Sequence, residues 1–301
     1  MRAPSRRISR IWSLLLWPAV VTGFVLVVQV GFEIGWPVLV FNLAYLMLAA
    51  LLWRAEQALP FEAAWLADDG QIGPDLAHTL LDKGVVQAIV AVDLVVGAAE
   101  VLPHGFGLWP QHWPFAAQVV LGLVIAEFGL YWRHRLSHEW RPLWRFHAVH
   151  HSATRLWFVN TGRFHVVDSM TSVVIGAALW FIAGAPEAVF LWVSAVTAVI
   201  GMLTHCNVDM RCGPLSYLFN TPTLHRWHHS MDAVEGNRNY GENLMLFDIL
   251  FGTYLNPRRR PPARIGIADP MPATFLGQLA EPFRLAARDR RDGALRPFSR
   301  P

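Results

Sequence analysis

Long apolar blocks, rather than a 3.6-residue apolar stripe, set the pattern of this sequence. After a basic N-terminus, Ile11 opens a block that reaches about Phe32. Gly35-Trp36-Pro37 then separates it from a second block, Val38 to about Trp53. About 20 apolar residues cross a bilayer, so the pair predicts a tight transmembrane hairpin. The first block is longer than the apolar region of a cleaved signal peptide and reads as an uncleaved anchor. From Arg54 to Lys83, acids return among prolines and glycines, which predicts a polar interfacial connector. A third block runs from Val85 to Leu102, and the aromatic stretch from Pro103 to Trp113 reads as an interfacial belt. A fourth block starts after Pro114, and two more, Ser169 to Ala183 and Glu187 to Leu203, flank Gly184-Ala185-Pro186 as a second hairpin.

The pattern predicts an all-α integral membrane bundle with four to six membrane-embedded helices. The lower number applies if the last hairpin re-enters rather than crosses. Composition agrees. Of 301 residues, 54% are hydrophobic and 16% charged, against about 25% charged in soluble domains. The net charge of +3 comes from arginines at the two ends: Arg2, Arg6, Arg7 and Arg10, then Arg258 through Arg300. Basic ends around apolar spans fit the cytoplasmic face of a membrane, and no nucleic-acid motif argues otherwise. With both ends there, an even number of spans also places the ends of the fourth and sixth blocks on the cytoplasmic side. Cys206 and Cys212 are too few for a disulfide scaffold and read as small buried residues.

Chemistry enters with histidine. Eight of the 13 histidines form three clusters: His134 with His138, His147 with His150 and His151, and His225 with His228 and His229. They read HxxxH and twice HxxHH. On a helix, positions three and four apart share a face, so each cluster aims its rings one way. The first cluster extends the fourth block, the second follows Pro142 on a short helix, and the third lies within two turns of Thr221-Pro222, a good helix start. Neutral imidazole is the commonest protein ligand for transition metals, and eight rings can hold two ions. All-nitrogen coordination suits iron, zinc or copper rather than magnesium or calcium. HExxH is absent, which sets aside the metalloprotease helix. An interfacial site fed by apolar spans points to a lipid substrate and to attack on unactivated carbon, for which a pair of irons can activate dioxygen. Two other readings stay open on the residues alone: a membrane zinc-dependent lipid hydrolase, and a non-enzymatic metal-binding membrane protein.

The order HRLSH, FHAVHHS and TPTLHRWHHS, followed by Asn239-Tyr240-Gly241 and LFDILFGTYLNP, resembles the fatty acid hydroxylase superfamily, which includes the sterol desaturases. The likeness covers roughly residues 115 to 257. It implies a catalytic domain between an N-terminal membrane part (1–114) and a basic tail (258–301), with a histidine-rich helical cap on the cytoplasmic side. It also implies a di-iron centre held by the eight box histidines. Dioxygen would be the co-substrate, electrons would come from an external ferredoxin, cytochrome or reductase, and a lipid would be hydroxylated or desaturated. A bacterial inner membrane is the expected location, and zinc is a plausible substitute in purified protein. The resemblance adds two candidate ligands: His205, in Thr204-His205-Cys206-Asn207, and His165, in Arg163-Phe164-His165, where Val166 replaces the usual proline. His78, His104 and His112 read as loop or interface residues. Asp168, Asp209, Asp232, Glu242 and Asp248 are possible partners for the second imidazole nitrogens, and equally possible caps or surface acids. Asn-Tyr-Gly reads either as pocket wall or as an ordinary turn.

Overall fold

The computed structural model describes residues 6–96 and 107–291. It is helical, with only isolated β-bridges and no strand among the described residues. The long helices are α1 (Arg6–Glu33), α2 (Pro37–Ala58), α3 (Ile72–Val96), α4 (Phe115–Glu139), α6 (Val166–Ala183) and α7 (Glu187–His205). Between and after them come α5 (Arg141–His151), α8 (Pro222–His228), α9 (Leu246–Leu250) and α10 (Phe275–Arg291), with a one-turn helix at Ala233–Gly236.

Four segments are long and apolar enough to cross a membrane: Ser13–Glu33, Pro37–Ala58, Phe115–Glu139 and Glu187–His205. Their outer faces are greasy, with Leu26, Leu46 and Met47 all more than half exposed, as lipid contact requires. The expected hairpin forms where Gly35, at φ 77°, turns the chain into Pro37. Phe32 then stacks on Trp192 of α7 at 5.2 Å, and Leu52, Val199, Ile200 and Leu203 share the core between α2 and α7. The N-terminal end of α1 and the C-terminal ends of α2, α4 and α7 come together at one end of the bundle. There Ser13 O accepts from Arg211 N, Leu59 O from Asp209 N, and Asn207 O from Phe61 N.

Two expectations shift. The third block does not begin a helix of its own. Its first residues belong to α3, which begins at Ile72 inside the supposed polar connector, and its end, with Glu100 and His104, lies outside the described residues. Composition misleads here because three of the connector's acids, Glu56, Asp75 and Asp82, are buried partners, while Asp68 and Asp69 are exposed. Asp75 pairs with Arg163 at 2.5 Å and accepts from Trp157 Nε1, while Asp82 accepts from Ser169 Oγ. His78, read as a loop residue, is fully buried on α3 with Nε2 3.0 Å from Gln278 Oε1; His112 does lie exposed in a loop. The fifth block forms α6, an apolar helix of 18 residues. It packs along α4 and joins α7 through a tight turn. Cys206 and Cys212 are buried free thiols.

At 25 residues α4 is about 37 Å long, beyond the roughly 30 Å hydrocarbon layer. The excess, about 7 Å, lets the end that carries the first histidine cluster reach toward the membrane surface. The short turn at Phe158–Gly162 closes against α3, where Thr79 Oγ1 donates to Val159 O at 2.7 Å. A Cβ on Gly162 would lie 2.8 Å from Thr79 Cα. Because a backbone atom cannot yield, Gly162→Ala should destabilise the protein by roughly 1–3 kcal/mol, read as a lower thermal midpoint in detergent. A midpoint equal to wild type would show that this close approach is not part of the fold.

Candidate metal centre

Helix phase sorts the histidines. In α5, His147 and His151 are four residues apart and face one side, while His150 points away from them. In α8, His225 and His229 form the pair and His228 is the odd one. The two HxxHH boxes are used in opposite senses. His134, His138, His147, His151 and His228 form one group, with ligand atoms all within 4.8 Å of one another. His150, His225, His229 and His205 form the second, equally compact. All nine are buried. His205 ends α7 and supplies what the second group would otherwise lack.

Spacing within the groups matches a common ion. Donor nitrogens about 2.0–2.1 Å from one metal lie about 2.9–3.4 Å apart. In the second group Nε2 of His225 is 3.0 Å from that of His205 and 3.1 Å from that of His229, and His150 Nε2 is 3.1 Å from His229 and 3.3 Å from His205. In the first, His147 and His151 approach to 3.1 Å.

The outward nitrogens explain why the inward ones are free. Nδ1 of His134 donates to Tyr240 O at 2.7 Å and that of His228 to Arg238 O at 2.8 Å. His138 Nδ1 donates to Asn237 Oδ1 at 3.1 Å, and His147 Nδ1 to Asp168 Oδ2 at 2.9 Å. Every partner is an acceptor, so each Nδ1 carries the hydrogen and each Nε2 keeps its lone pair. The Nε2 atoms of His134, His138 and His228 are buried with no protein partner, an arrangement that is costly unless something else binds them. In the second group Thr204 Oγ1 donates to Gly201 O and accepts from His205 Nδ1 at 3.2 Å. His150 lies flat on Phe164, ring centroids 4.1 Å apart. Burial and neighbouring imidazoles push His147, His150, His151, His225 and His229 well below the ordinary histidine range, and burial brings His228 down to about 4. Nine neutral nitrogen donors suit a transition metal and suit calcium or magnesium poorly.

His165 lies outside both groups. Its Nδ1 accepts from Val167 N and its Nε2 donates to Leu279 O, both at 3.1 Å, so no lone pair is left for a metal. Its carbonyl accepts from Asp168 N and Ser169 N, and the residue caps the start of α6. Of the five candidate acids, Asp168 alone touches a histidine of the groups. Arg133 binds Asp168 in turn, through both the side chain and the carbonyl. Asp248 accepts from Tyr240 N and Gly241 N, Glu242 faces Arg133 at 3.9 Å, Asp232 caps the turn at 233–236, and Asp209 enters through its backbone.

Asn-Tyr-Gly is no ordinary turn. Asn239 sits at φ 54° with its side chain bonded to Leu224 O and to both the carbonyl and amide of Leu255. Tyr240 turns its carbonyl to His134. A Cβ on Gly241 would strike Leu244 O and lie 2.9 Å from Asp248 Oδ2. The unforeseen participants are Glu127, Arg133, Asn237 and Arg226. Arg226, between two box histidines, donates to Cys206 O and Val208 O at 2.8 Å and ties α8 to the loop after His205. Of these, Glu127 carried a signal, being an acid inside a membrane span.

Four helices of membrane-crossing length and two buried sets of neutral histidines make this a membrane protein with donor sets suited to transition metals. The family model for fatty acid hydroxylase matches residues 119–253. An ornithine lipid hydroxylase of Rhizobium tropici is 48% identical over 290 residues, 94% of this chain and 88% of that protein. The chain belongs to the fatty acid hydroxylase family and is an oxygen-dependent lipid oxidoreductase of the membrane. More distant similarity reaches alkylglycerol monooxygenase of Homo sapiens, 30% identical over 146 residues, which is 48% of this chain and 32% of that protein. Methylsterol monooxygenase 2-2 of Arabidopsis thaliana is 24% identical over 150 residues, 48% of this chain and 54% of that protein. No solved structure matches.

Asp168→Asn keeps the shape but removes the negative charge that holds the His147 Nδ1–H. Loss of such a partner typically costs 10–100-fold in metal affinity or activity. Competition with a chelator should show that drop, and unchanged metal retention would remove Asp168 from the site.

Proposed function

We propose that the protein hydroxylates an ornithine-containing lipid, or a close amino-acid-bearing relative, at a pair of irons. The five-histidine group would hold one ion and the four-histidine group the other. The carrying observation is the sorting of nine buried imidazoles into two compact sets, with the Nε2 atoms of His134, His138 and His228 buried and unpartnered. The substrate class rests on the similarity to the Rhizobium tropici protein over nearly the whole chain. Bound there, iron supplies the reductive activation of dioxygen that attack on a C–H bond needs.

The chain's own residues supply placement and dryness. Burial of all nine rings keeps bulk water from the reacting centre. An apolar groove between α4, α6 and α9, walled by Val124, Ile125, Phe128, Leu179, Ile182 and Phe247, opens on the membrane side. Phe128 lies six residues before His134, about 9 Å along the helix. An acyl chain seated there would leave its polar end beside the histidine layer. Because α1 begins at the same end of the bundle as the site, the basic N-terminus would place the site on the cytoplasmic face of a bacterial inner membrane, within reach of a ferredoxin, cytochrome or reductase.

The test is expression in a bacterium that makes ornithine lipid but does not hydroxylate it, grown under oxygen-18 gas. The expected product is that lipid carrying one oxygen-18 atom, absent when His228→Ala is expressed at equal membrane abundance. Unchanged lipids, or oxygen taken from water, would overturn the reading.

A further inference from the structure

Glu127 is a fully buried acid on α4, two turns before His134 and thus about 10 Å deeper along a membrane-spanning helix. An acid at that depth is expensive unless its oxygens are satisfied. Here backbone does it: Glu127 Oε1 accepts from Glu242 N at 2.7 Å, and Oε2 from Asn243 N at 2.9 Å and Leu244 N at 3.1 Å. Irregular backbone survives at membrane depth only where protein encloses it. The carboxylate is therefore the group that draws this loop against the span. Asp248 grips the same loop from the other side, and Phe247 and Phe251 pack on Tyr131.

The loop so held runs from Asn237 to Leu244, and it is the loop that orients the first histidine group. Tyr240 O, Arg238 O and Asn237 Oδ1 receive the Nδ1–H groups of His134, His228 and His138. No ring nitrogen of the second group bonds this loop directly: Asn220 Nδ2 donates to Gly241 O and lies 3.4 Å from His225 Nδ1, and Asn239 Nδ2 donates to Leu224 O on α8. We infer that Glu127 is a positioning residue for the five-histidine ion: through the 237–244 loop it sets the carbonyls that aim three of the five rings. The inference rests on the reading of that group as a metal site.

Glu56 provides a matched comparison. It too is a buried acid on a span, but its Oε1 accepts from Phe158 N and Asn207 N, at 2.8 and 2.9 Å, beside the loop that follows His205. Glu127→Gln replaces one acceptor oxygen with an amide nitrogen that cannot receive an N–H, with little change in volume. Cobalt(II), which reports nitrogen ligation by its visible spectrum, would be titrated into full-length wild type, Glu127→Gln, Glu127→Asp and Glu56→Gln in detergent, with thermal midpoints recorded. Wild type should take up two ions. In Glu127→Gln one of the two should bind at least tenfold more weakly with an altered spectrum, and Glu127→Asp should recover part of that affinity. Glu56→Gln should leave that ion unchanged even if its midpoint falls as far. A Glu127→Gln protein with wild-type affinity and spectrum would overturn the inference while leaving the metal reading intact. Parallel loss of the same ion in Glu56→Gln would reduce Glu127 to a folding role. A wild type that takes up no ion would overturn both.

Discussion

The structure depends on keeping nine imidazoles neutral and correctly turned inside a buried layer. A buried histidine that carried charge would repel its neighbours across 4–5 Å of low-dielectric interior. One that is neutral but free to rotate could present either nitrogen. Giving the outer Nδ1–H an acceptor solves both problems at once. In the first group those acceptors are two backbone carbonyls, one side-chain amide oxygen and one carboxylate. The rest of the molecule can be understood as the means of holding those acceptors still.

The spans and the loops divide that task. The ends of α4 and α7 carry His134, His138 and His205 on stiff rods, while α5 and α8 pack against them. Helices alone could not supply the acceptors, because their own carbonyls are occupied by the next turn. Irregular segments do so, and they stay in place because buried side chains fasten them: Asn239 to α8 and to Leu255, Glu127 and Asp248 to the 240–244 turn, and Arg226 to the 206–208 turn. Arg163 extends the same logic, tying Val149 O on α5 to Asp75 on α3.

Much of this was readable from the chain. Apolar block length located the helices long enough to span, and the clustering of His134 through His229 located residues that form the two compact groups. The spacing in HxxHH implied a shared face, although which ring joins which group depends on how α5 and α8 oppose each other, a tertiary fact. His205 could be proposed from resemblance, and the structure brings it into the second group. The same resemblance offered His165, which lies outside both groups with both ring nitrogens hydrogen-bonded to backbone. Asp75, Asp82 and His78 looked solvated because composition reports polarity without saying which way a side chain turns. Glu127, isolated in an apolar block, gave no hint of its partners, since these lie more than a hundred residues away and are backbone amides.

The central claim is that each chain holds a pair of irons on nitrogen. Mössbauer spectroscopy on protein loaded anaerobically with iron-57 tests it most directly, with total iron measured on the same sample. The account requires two irons per chain, in high-spin sites whose parameters reflect histidine nitrogen, coupled to each other once oxidised. A single uncoupled iron, or one lost on gel filtration, would contradict it.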